Sequence, residues 1–414
     1  MGKRVLLIGG NFSPELTGIG KYNGEMINYV AGLGYECTVV TTFPYYPQWK
    51  VQEPYTKSSG WFKKETIHPP GKGAGTIQVY RCPHYIPVKP TGLRRALSDV
   101  SFCTSAFFKI VQLLFRPRFD FILVVAPPFQ LGLLGIFYKM FKGGRLLYHI
   151  QDLQIDAARD FQLIRSTFII NLLLKVERFI LKRADVVSSI SAGMINKIKN
   201  KYPREVVFFP NWVDTNLFYP IESRRNLKKE FNFEESDTII LYSGAIGEKQ
   251  GLETILDSAE KLRDNKRLKF VICGSGPYKA KLQEQKDKRD LQNVFFLPLQ
   301  PFEKLNEFLN MADIHLVIQK ANAADLVMPS KLTAILSVGG VAIITASEGS
   351  SLFDVVAAHD MGVLVEPENP TAFIKALNRT LKIDREIINQ NARLYAERYL
   401  SIDEIFQSFK VHMQ

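Results

Sequence analysis

The chain is poor in cysteine: four in 414 residues, Cys37, Cys82, Cys103 and Cys273, none in a C-x-x-C pair. That excludes a disulfide framework and a zinc ribbon, and it predicts reduced thiols in a cytosolic protein. Acid is also in short supply. Forty-one Asp and Glu face 53 Lys and Arg, a formal charge of +12, which favours an anionic partner: nucleic acid, phospholipid or a phosphate-bearing ligand. No basic cluster with base-stacking geometry stands out, so nucleic acid is set aside. No run reaches the roughly 18 uncharged apolar residues of a spanning helix, and MGKRVLLIGG meets a Gly turn too early for a signal peptide. There is no Asp-x-Asp triplet and no second histidine near His149, so no metal site is expected.

What is abundant is apolar residue, 46% of the chain, enough for two cores, because single cores stop growing near about 250 to 300 residues. Short β-branched runs alternate with amphipathic stretches throughout. Strands are predicted at 4–9, 37–42, 76–82, 121–126, 145–150, 185–190 and 206–210, then again at 238–243, 269–274, 294–297, 314–318, 341–345 and 362–365. Most are continuous apolar runs, as in a parallel sheet covered on both faces. Stretches such as GLETILDSAEKLRDN have helical spacing between them. The fold class is therefore α/β, with two doubly wound Rossmann-like domains facing across a cleft. FFPNWVDTN interrupts the pattern, placing the domains at 1–210 and 211–393. Ligands of such sheets bind beyond the carboxyl ends of the strands.

Each candidate motif has an ordinary structural explanation beside its functional one. GGNFSPELTGIGKYNGE follows the first strand, yet Gly18 lies eight residues beyond Gly10, too far for a dinucleotide fingerprint. A glycine loop whose amides at Gly18 and Gly20 meet a phosphate fits better, against a plain surface loop. SGAIGEKQGLE sets Gly244, Gly247 and Gly251 around Lys249 at a helix start, suited to a diphosphate or merely a strand-to-helix turn. CGSGP is a second glycine turn, with Gly274 and Gly276. HIQDLQID places His149, Asp152 and Asp156 at a strand end, in catalytic or structural roles. The segment Leu93 to Arg118 mixes phenylalanines with Arg94 and Arg95, reading equally as a bilayer-interface helix or a core helix. Tyr45, Tyr46 and Trp49 in PYYPQWK offer aromatic surface for a sugar or for lipid.

The strings SPELTGIGKY, ADVVSSIS, FPNWVDTNLFYP, CGSGP and MPSKLTAILSVGG, with the strand-end His149 among them, occur in the order found in family 4 retaining glycosyltransferases of the GT-B fold. The resemblance covers nearly the whole chain. PYYPQWKV, HIQDLQID, FFPNW and SGAIGEKQGLE look most like the colanic acid biosynthesis glycosyltransferases, fucosyltransferases acting on lipid-linked exopolysaccharide intermediates.

The resemblance implies a retaining, metal-independent transferase with no cofactor beyond a GDP- or UDP-linked sugar donor. Its partners would be the nucleotide sugar, a lipid-linked saccharide acceptor and an anionic membrane surface, placing it at the cytoplasmic face of the cell membrane. By the same similarity, His149, Asp152 and Lys249 would be catalytic. Gly18, Gly20, Gly274, Gly276, Leu299, Gln300, Ser330, Lys331 and Leu332 would hold the donor. Tyr45, Tyr46, Trp49, Arg94 and Arg95 would serve acceptor or membrane, and residues 394–414 would cross back to the first domain. Two departures stand out. Ala245 replaces the arginine that usually accompanies the lysine, and Leu326 and Ala334 replace two glutamates, leaving Asp325 for the donor sugar and Glu348 for the ribose. Alternatives are a nucleotide-sugar epimerase of the same architecture, a UDP-N-acetylated sugar transferase, and a non-catalytic scaffold.

Overall fold

The computed structural model describes residues 2–15, 18–160, 164, 166–222, 226–320 and 329–413, with Lys249 and Met413 described by backbone alone. The chain divides into two compact units, Met1–Phe209 with His412–Gln414, and Pro210–Val411.

The strands of unit 1 are β1 (Arg4–Gly9), β2 (Glu36–Thr42), β3 (Lys63–Ile67), β4 (Ile77–Cys82), β5 (Phe121–Ala126), β6 (Arg145–Ile150), β7 (Val186–Ser189) and β8 (Val207–Phe208). They form one sheet in the order β3-β4-β2-β1-β5-β6-β7-β8. Its helices are α1 (Gly18–Gly32), α2 (Gly92–Leu113), α3 (Leu131–Lys142), α4 (Gln154–Asp160), α5 (Thr167–Arg183) and α6 (Ala192–Lys201). Every pairing is parallel except β3 with β4. Strand β3 went unpredicted because KKETI has no apolar run: it is an edge strand, alternately half-buried and exposed, and charge on an edge blocks further pairing. Along β1 each of Val5, Leu6, Leu7 and Ile8 is fully buried, the mark of a sheet covered on both faces.

Unit 2 repeats the plan with β9 (Thr238–Ser243), β10 (Leu268–Cys273), β11 (Val294–Leu297), β12 (Ile314–Val317), β13 (Ala342–Thr345) and β14 (Val363–Val365), in the order β11-β10-β9-β12-β13-β14 and all parallel. Its helices are α7 (Leu227–Glu230), α8 (Glu253–Lys261), α9 (Lys279–Lys288), α10 (Leu305–Asn310), α11 (Ser330–Ser337), α12 (Ser351–His359), α13 (Pro370–Thr380), α14 (Glu386–Tyr399) and α15 (Ile402–Lys410). Alternate residues of β9 enter two separate cores, Ile239 and Leu241 on one face and Ile240 and Tyr242 on the other. Helices α14 and α15 pack within unit 2. The Val213 amide donates to Leu400 O at 2.8 Å, Trp212 meets Phe406 edge-on at 5.4 Å, and the Arg393 guanidinium donates to Phe218 O at 2.9 Å.

Two buried ionic clusters fix local geometry in unit 1. Arg81, 2% exposed, donates to Glu65 Oε2 at 2.7 Å, Ser13 O at 2.8 Å and Thr42 O at 3.3 Å, tying the loop after β1 to the sheet. Lys201 pairs with Asp156 and, at 2.8 Å, with Glu177; all three are buried. Asp156 of HIQDLQID is therefore structural. Lys201→Met should lower unfolding stability by about 3 to 5 kcal/mol, because buried Glu177 loses its cation and buried Asp156 keeps only Arg159, at 3.4 Å. Urea unfolding followed by far-UV circular dichroism measures it, and a midpoint equal to wild type would contradict the assignment.

Candidate functional site

In unit 2 the loops after β9 and β10 lie against one another. Gly244 N donates to Cys273 O at 3.0 Å and Ile246 N to Ser275 O at 2.9 Å. A Cβ on Gly274 would sit 1.9 Å from Gly244 O, and one on Gly276, at φ +155°, only 2.1 Å from Ile246 O. These two glycines are thus required by loop-on-loop packing, whatever else they serve. Ala245 is exposed, and its carbonyl accepts from the Tyr242 hydroxyl at 2.7 Å.

Against this loop lies Lys331, in the first turn of α11. Its Nζ stands 3.9 Å over the Tyr242 ring, and a Cβ on Gly244 would be 3.7 Å from it. The residue is half-buried, and burial pushes its pKa down to about 7. Among the described residues no carboxylate pairs with it. The Tyr242 ring offsets part of the desolvation through its negative face, and burial pushes the Tyr242 hydroxyl upward. An ammonium with no carboxylate among the described residues, at the carboxyl end of a central strand, suits an anion.

Other predicted donor residues are unevenly placed. Ser330 is exposed in the same turn, and Leu299 is 62% exposed beyond β11. Gln300 is half-buried and donates to Pro298 O at 2.9 Å. Leu332 is a correction: its side chain is fully buried in the core and its amide is spent on Pro329 O at 2.9 Å, so it cannot touch a ligand. The Lys249 backbone sits in a short turn, Glu248–Gln250, and Asp325 lies outside the described residues. Glu348 is exposed after β13. Gln319, Lys320, Thr345, Glu366, Asn369 and Phe373 line a small cavity at the ends of β12 to β14, and Gln319 Nε2 is buried without a partner among the described residues. Among the described residues no three His, Cys, Asp or Glu gather as metal ligands.

In unit 1, His149 is 1% exposed, its Nδ1 is 3.0 Å from Ser188 Oγ, and its ring meets Phe209 edge-on at 5.2 Å. Burial pushes its pKa down to about 3, so it stays neutral and does not exchange protons near neutral pH. The ring is thus held as a neutral hydrogen-bonding group beside Ser188. Asp152 follows in the turn after β6 and is half-buried.

The opening loop carries a group that sequence reasoning passed over. Glu15, 3% exposed, accepts from the amides of Tyr45 and Tyr46 at 2.8 Å each and from Asn11 Nδ2 at 2.9 Å. Burial raises its pKa while these bonds oppose the rise. A Cβ on Gly20 would lie 2.6 Å from Glu15 Oε2, so Gly20 is buried under a carboxylate rather than open to a phosphate. Gly18, exposed at φ +59°, remains open. The only sequence signal was an acid just ahead of the glycine pair.

Trp49 packs edge-on against Tyr45 at 5.4 Å, and the Arg95 guanidinium covers its indole at 5.1 Å. Tyr46 is 40% exposed, and Arg94 is exposed in the first turn of α2. Helix α2 puts one face of its segment into the core and leaves the other exposed. Phe102, Ala106 and Ile110 are in the core, while Leu93, Leu97, Phe108 and, just past its end, Phe115 are exposed.

Comparison with known proteins follows this division. The family model for glycosyl transferases group 1 matches residues 223–395, and that for the glycosyl transferase 4-like domain matches 17–212. The putative colanic acid biosynthesis glycosyl transferase WcaI of Escherichia coli K12 is 40% identical over 417 residues, covering 98% of each chain. Among solved structures, sucrose-phosphate synthase of Thermosynechococcus elongatus superposes with a TM-score of 0.76 at 16% identity, over 100% of this chain and 98% of that one. Anabaena HepE, solved with UDP and glucose, gives 0.70 at 13% identity over 99% of both. At these identities the two structures speak for the fold.

Lys331 supplies a test. Its folded pKa is depressed, so in the free protein the ammonium is charged below about pH 6 and neutral above about pH 8, and a bound diphosphate favours the charged form. GDP or UDP affinity should fall as pH rises across that window, with proton uptake on binding above it, read by calorimetry in buffers of different ionisation enthalpy. Lys331→Met should remove both effects and weaken binding about tenfold or more, the worth of a charge-assisted contact. Identical pH slopes in wild type and variant would take Lys331 out of the site.

Proposed function

This chain belongs to the group 1 glycosyltransferases of GT-B fold, and from that membership we propose that it transfers fucose from a GDP-linked donor to a lipid-linked exopolysaccharide intermediate, with retention of configuration. The structural observation that carries the donor half is the ammonium of Lys331 beside the β9 loop, where a leaving diphosphate would find charge without reorganisation. The full-length likeness to a transferase named for colanic acid biosynthesis supports the polysaccharide acceptor. Retention without a side-chain nucleophile fits a front-face displacement. The bond from the anomeric carbon to the phosphate oxygen breaks, the acceptor hydroxyl oxygen bonds to that carbon, and the hydroxyl proton passes to the departing phosphate.

A lipid-linked acceptor requires the enzyme to reach a bilayer. No described helix is long and apolar enough to cross one. Unit 1 instead exposes Phe108 (58%), Phe115 (87%), Met140 (71%), Phe141 (64%) and Phe168 (76%) on and beside α2, α3 and α5. Helices α2 and α3 adjoin through a run of rings, Phe107 on Phe137 at 5.1 Å and Phe137 on Phe141 at 5.0 Å. Arg116, Arg118 and Lys142 stand at or just past the ends of α2 and α3, whereas Lys109 is engaged over the Phe62 and Tyr80 rings. Apolar side chains among cations suit a surface of anionic lipid, each cation near the surface adding about 1 kcal/mol. We assign this face to peripheral membrane contact.

Two measurements check the reading. Incubation with GDP-fucose, UDP-N-acetylglucosamine and UDP-glucose, each with a lipid-diphosphate disaccharide, should release nucleoside diphosphate most rapidly with GDP-fucose. Failure of all three donors to release nucleoside diphosphate, or ring-proton exchange without acceptor, would overturn transfer in favour of a scaffold or an epimerase respectively. In flotation with phosphatidylglycerol vesicles, the pair Phe108→Glu and Phe141→Glu should leave most of the protein unbound; full retention would detach this face from the membrane.

A further inference from the structure

Unit 1 contains a second set of polar groups at the carboxyl ends of its strands, separate from the donor loops of unit 2. It is built by residues after β2, after β4, after β6 and on α2. The Tyr45 ring lies edge-on to His84 at 4.8 Å, and His84 lies edge-on to Phe102 at 6.3 Å. His84 Nε2 is buried and has no hydrogen-bond partner among the described residues. Leaving such a nitrogen unsatisfied costs about 1 to 3 kcal/mol, which sites tolerate when a ligand completes them. Across Tyr45 stands Asp99, whose Oδ2 accepts from Gln154 Nε2 at 2.9 Å while Oδ1 has no partner among the described residues. Burial raises the Asp99 carboxyl to about 6, although Gln154 and Arg95 pull the other way.

Resting on the transfer reaction proposed above, we propose that Tyr45, His84, Asp99 and Gln154 form the acceptor-saccharide subsite, with Asp99 Oδ1 accepting from one sugar hydroxyl and His84 Nε2 bonding another. The chemistry selects a neutral polyol. Two carboxylates, Glu15 and Asp99, both act on the Tyr45 hydroxyl, so a second anion is disfavoured here, whereas hydroxyl donors are wanted. The Tyr45 ring, propped by Trp49, presents an apolar edge for the C–H face of a pyranose. The site also lies where open parallel sheets take ligands. Exposed Leu97 and Val100 flank Asp99 on α2, so the helix that would hold the saccharide carries the apolar surface assigned to the bilayer. Asp99 is a positioning residue: it orients the hydroxyl, and the leaving phosphate takes the proton.

The test titrates full-length protein with the methyl glycosides of fucose, galactose, glucose and N-acetylglucosamine, read by saturation-transfer-difference NMR, with no donor present. Wild type should show transfer to at least one glycoside. Asp99→Ala and His84→Phe should each weaken that binding about tenfold, the loss expected when one hydrogen bond to a sugar hydroxyl is removed. Asp99→Glu should recover part of it. Far-UV circular dichroism and an unfolding midpoint equal to wild type establish that each variant is folded. In turnover, Asp99→Ala should raise the acceptor KM while the donor KM stays fixed. Transfer to no glycoside in wild type, or unaltered binding in both variants, would overturn the subsite. Because the titration needs neither donor nor turnover, such a failure is distinct from failure of the donor panel, which judges the reaction itself.

Discussion

The constraint on which everything else depends is the covering of both faces of a parallel sheet. Once Val5, Leu6, Leu7 and Ile8 are all buried, and β9 feeds two cores by alternate residues, neither face of either sheet can present polar chemistry. The ends of the strands are what remains. The glycines follow from this, because loops that turn from strand to helix must cross one another closely. Gly274 passes so near Gly244 O that a methyl group would overlap it, and Gly276 does the same at Ile246 O. What resembles a phosphate-binding signature is in the first place a packing requirement. The signature acquires chemical meaning only through Lys331, whose ammonium faces that crossing with no counter-charge among the described residues.

Buried charge therefore falls into two kinds in this chain, and the difference separates architecture from chemistry. Arg81 has Glu65 and two carbonyls, Lys201 has two carboxylates, and Glu15 has two amides and an asparagine; each is fully answered by the fold. Among the described residues His84 Nε2 has no partner, Lys331 has no carboxylate, and Asp99, half-buried, has one oxygen unengaged. An unanswered polar group under burial is a standing cost, and His84 Nε2 and Gln319 Nε2 stand at strand ends, where ligands of such sheets bind.

The sequence displayed all the strands that run through a core, because apolar continuity is what makes them buried. It hid β3, whose alternating charge is proper to an edge, and it misread side chains whose meaning lies in a distant partner. Gly20 lies under the Glu15 carboxylate, and Leu332 follows Lys331 in sequence while pointing into the core. Glu15 was invisible for the complementary reason: its amide partners come from residues thirty positions downstream. Tyr45, Trp49 and Arg95 were legible as a group by their aromatic and basic character, yet their union with His84 and Asp99 depends on helix α2 passing the end of β4. Motif order identified the family, because several long strings in register tolerate such local errors.

Helix α2 shows how one element can be answerable to several solvents at once. Its inward positions, Phe102, Ala106 and Ile110, pack on the sheet; Asp99 turns toward Gln154 beyond β6; and Leu93, Leu97 and Phe108 face outward. A helix serving the core alone would place charged side chains on that outer face. Phenylalanine there costs solubility unless something apolar receives it, and the neighbouring cations make anionic lipid the natural recipient. An acceptor whose sugar is polar and whose tail is lipid needs both kinds of surface within its own length. On α2 the carboxylate proposed to hold the sugar and the side chains proposed to meet the bilayer are neighbours along one rigid rod, so the two proposals concern two ends of the same substrate.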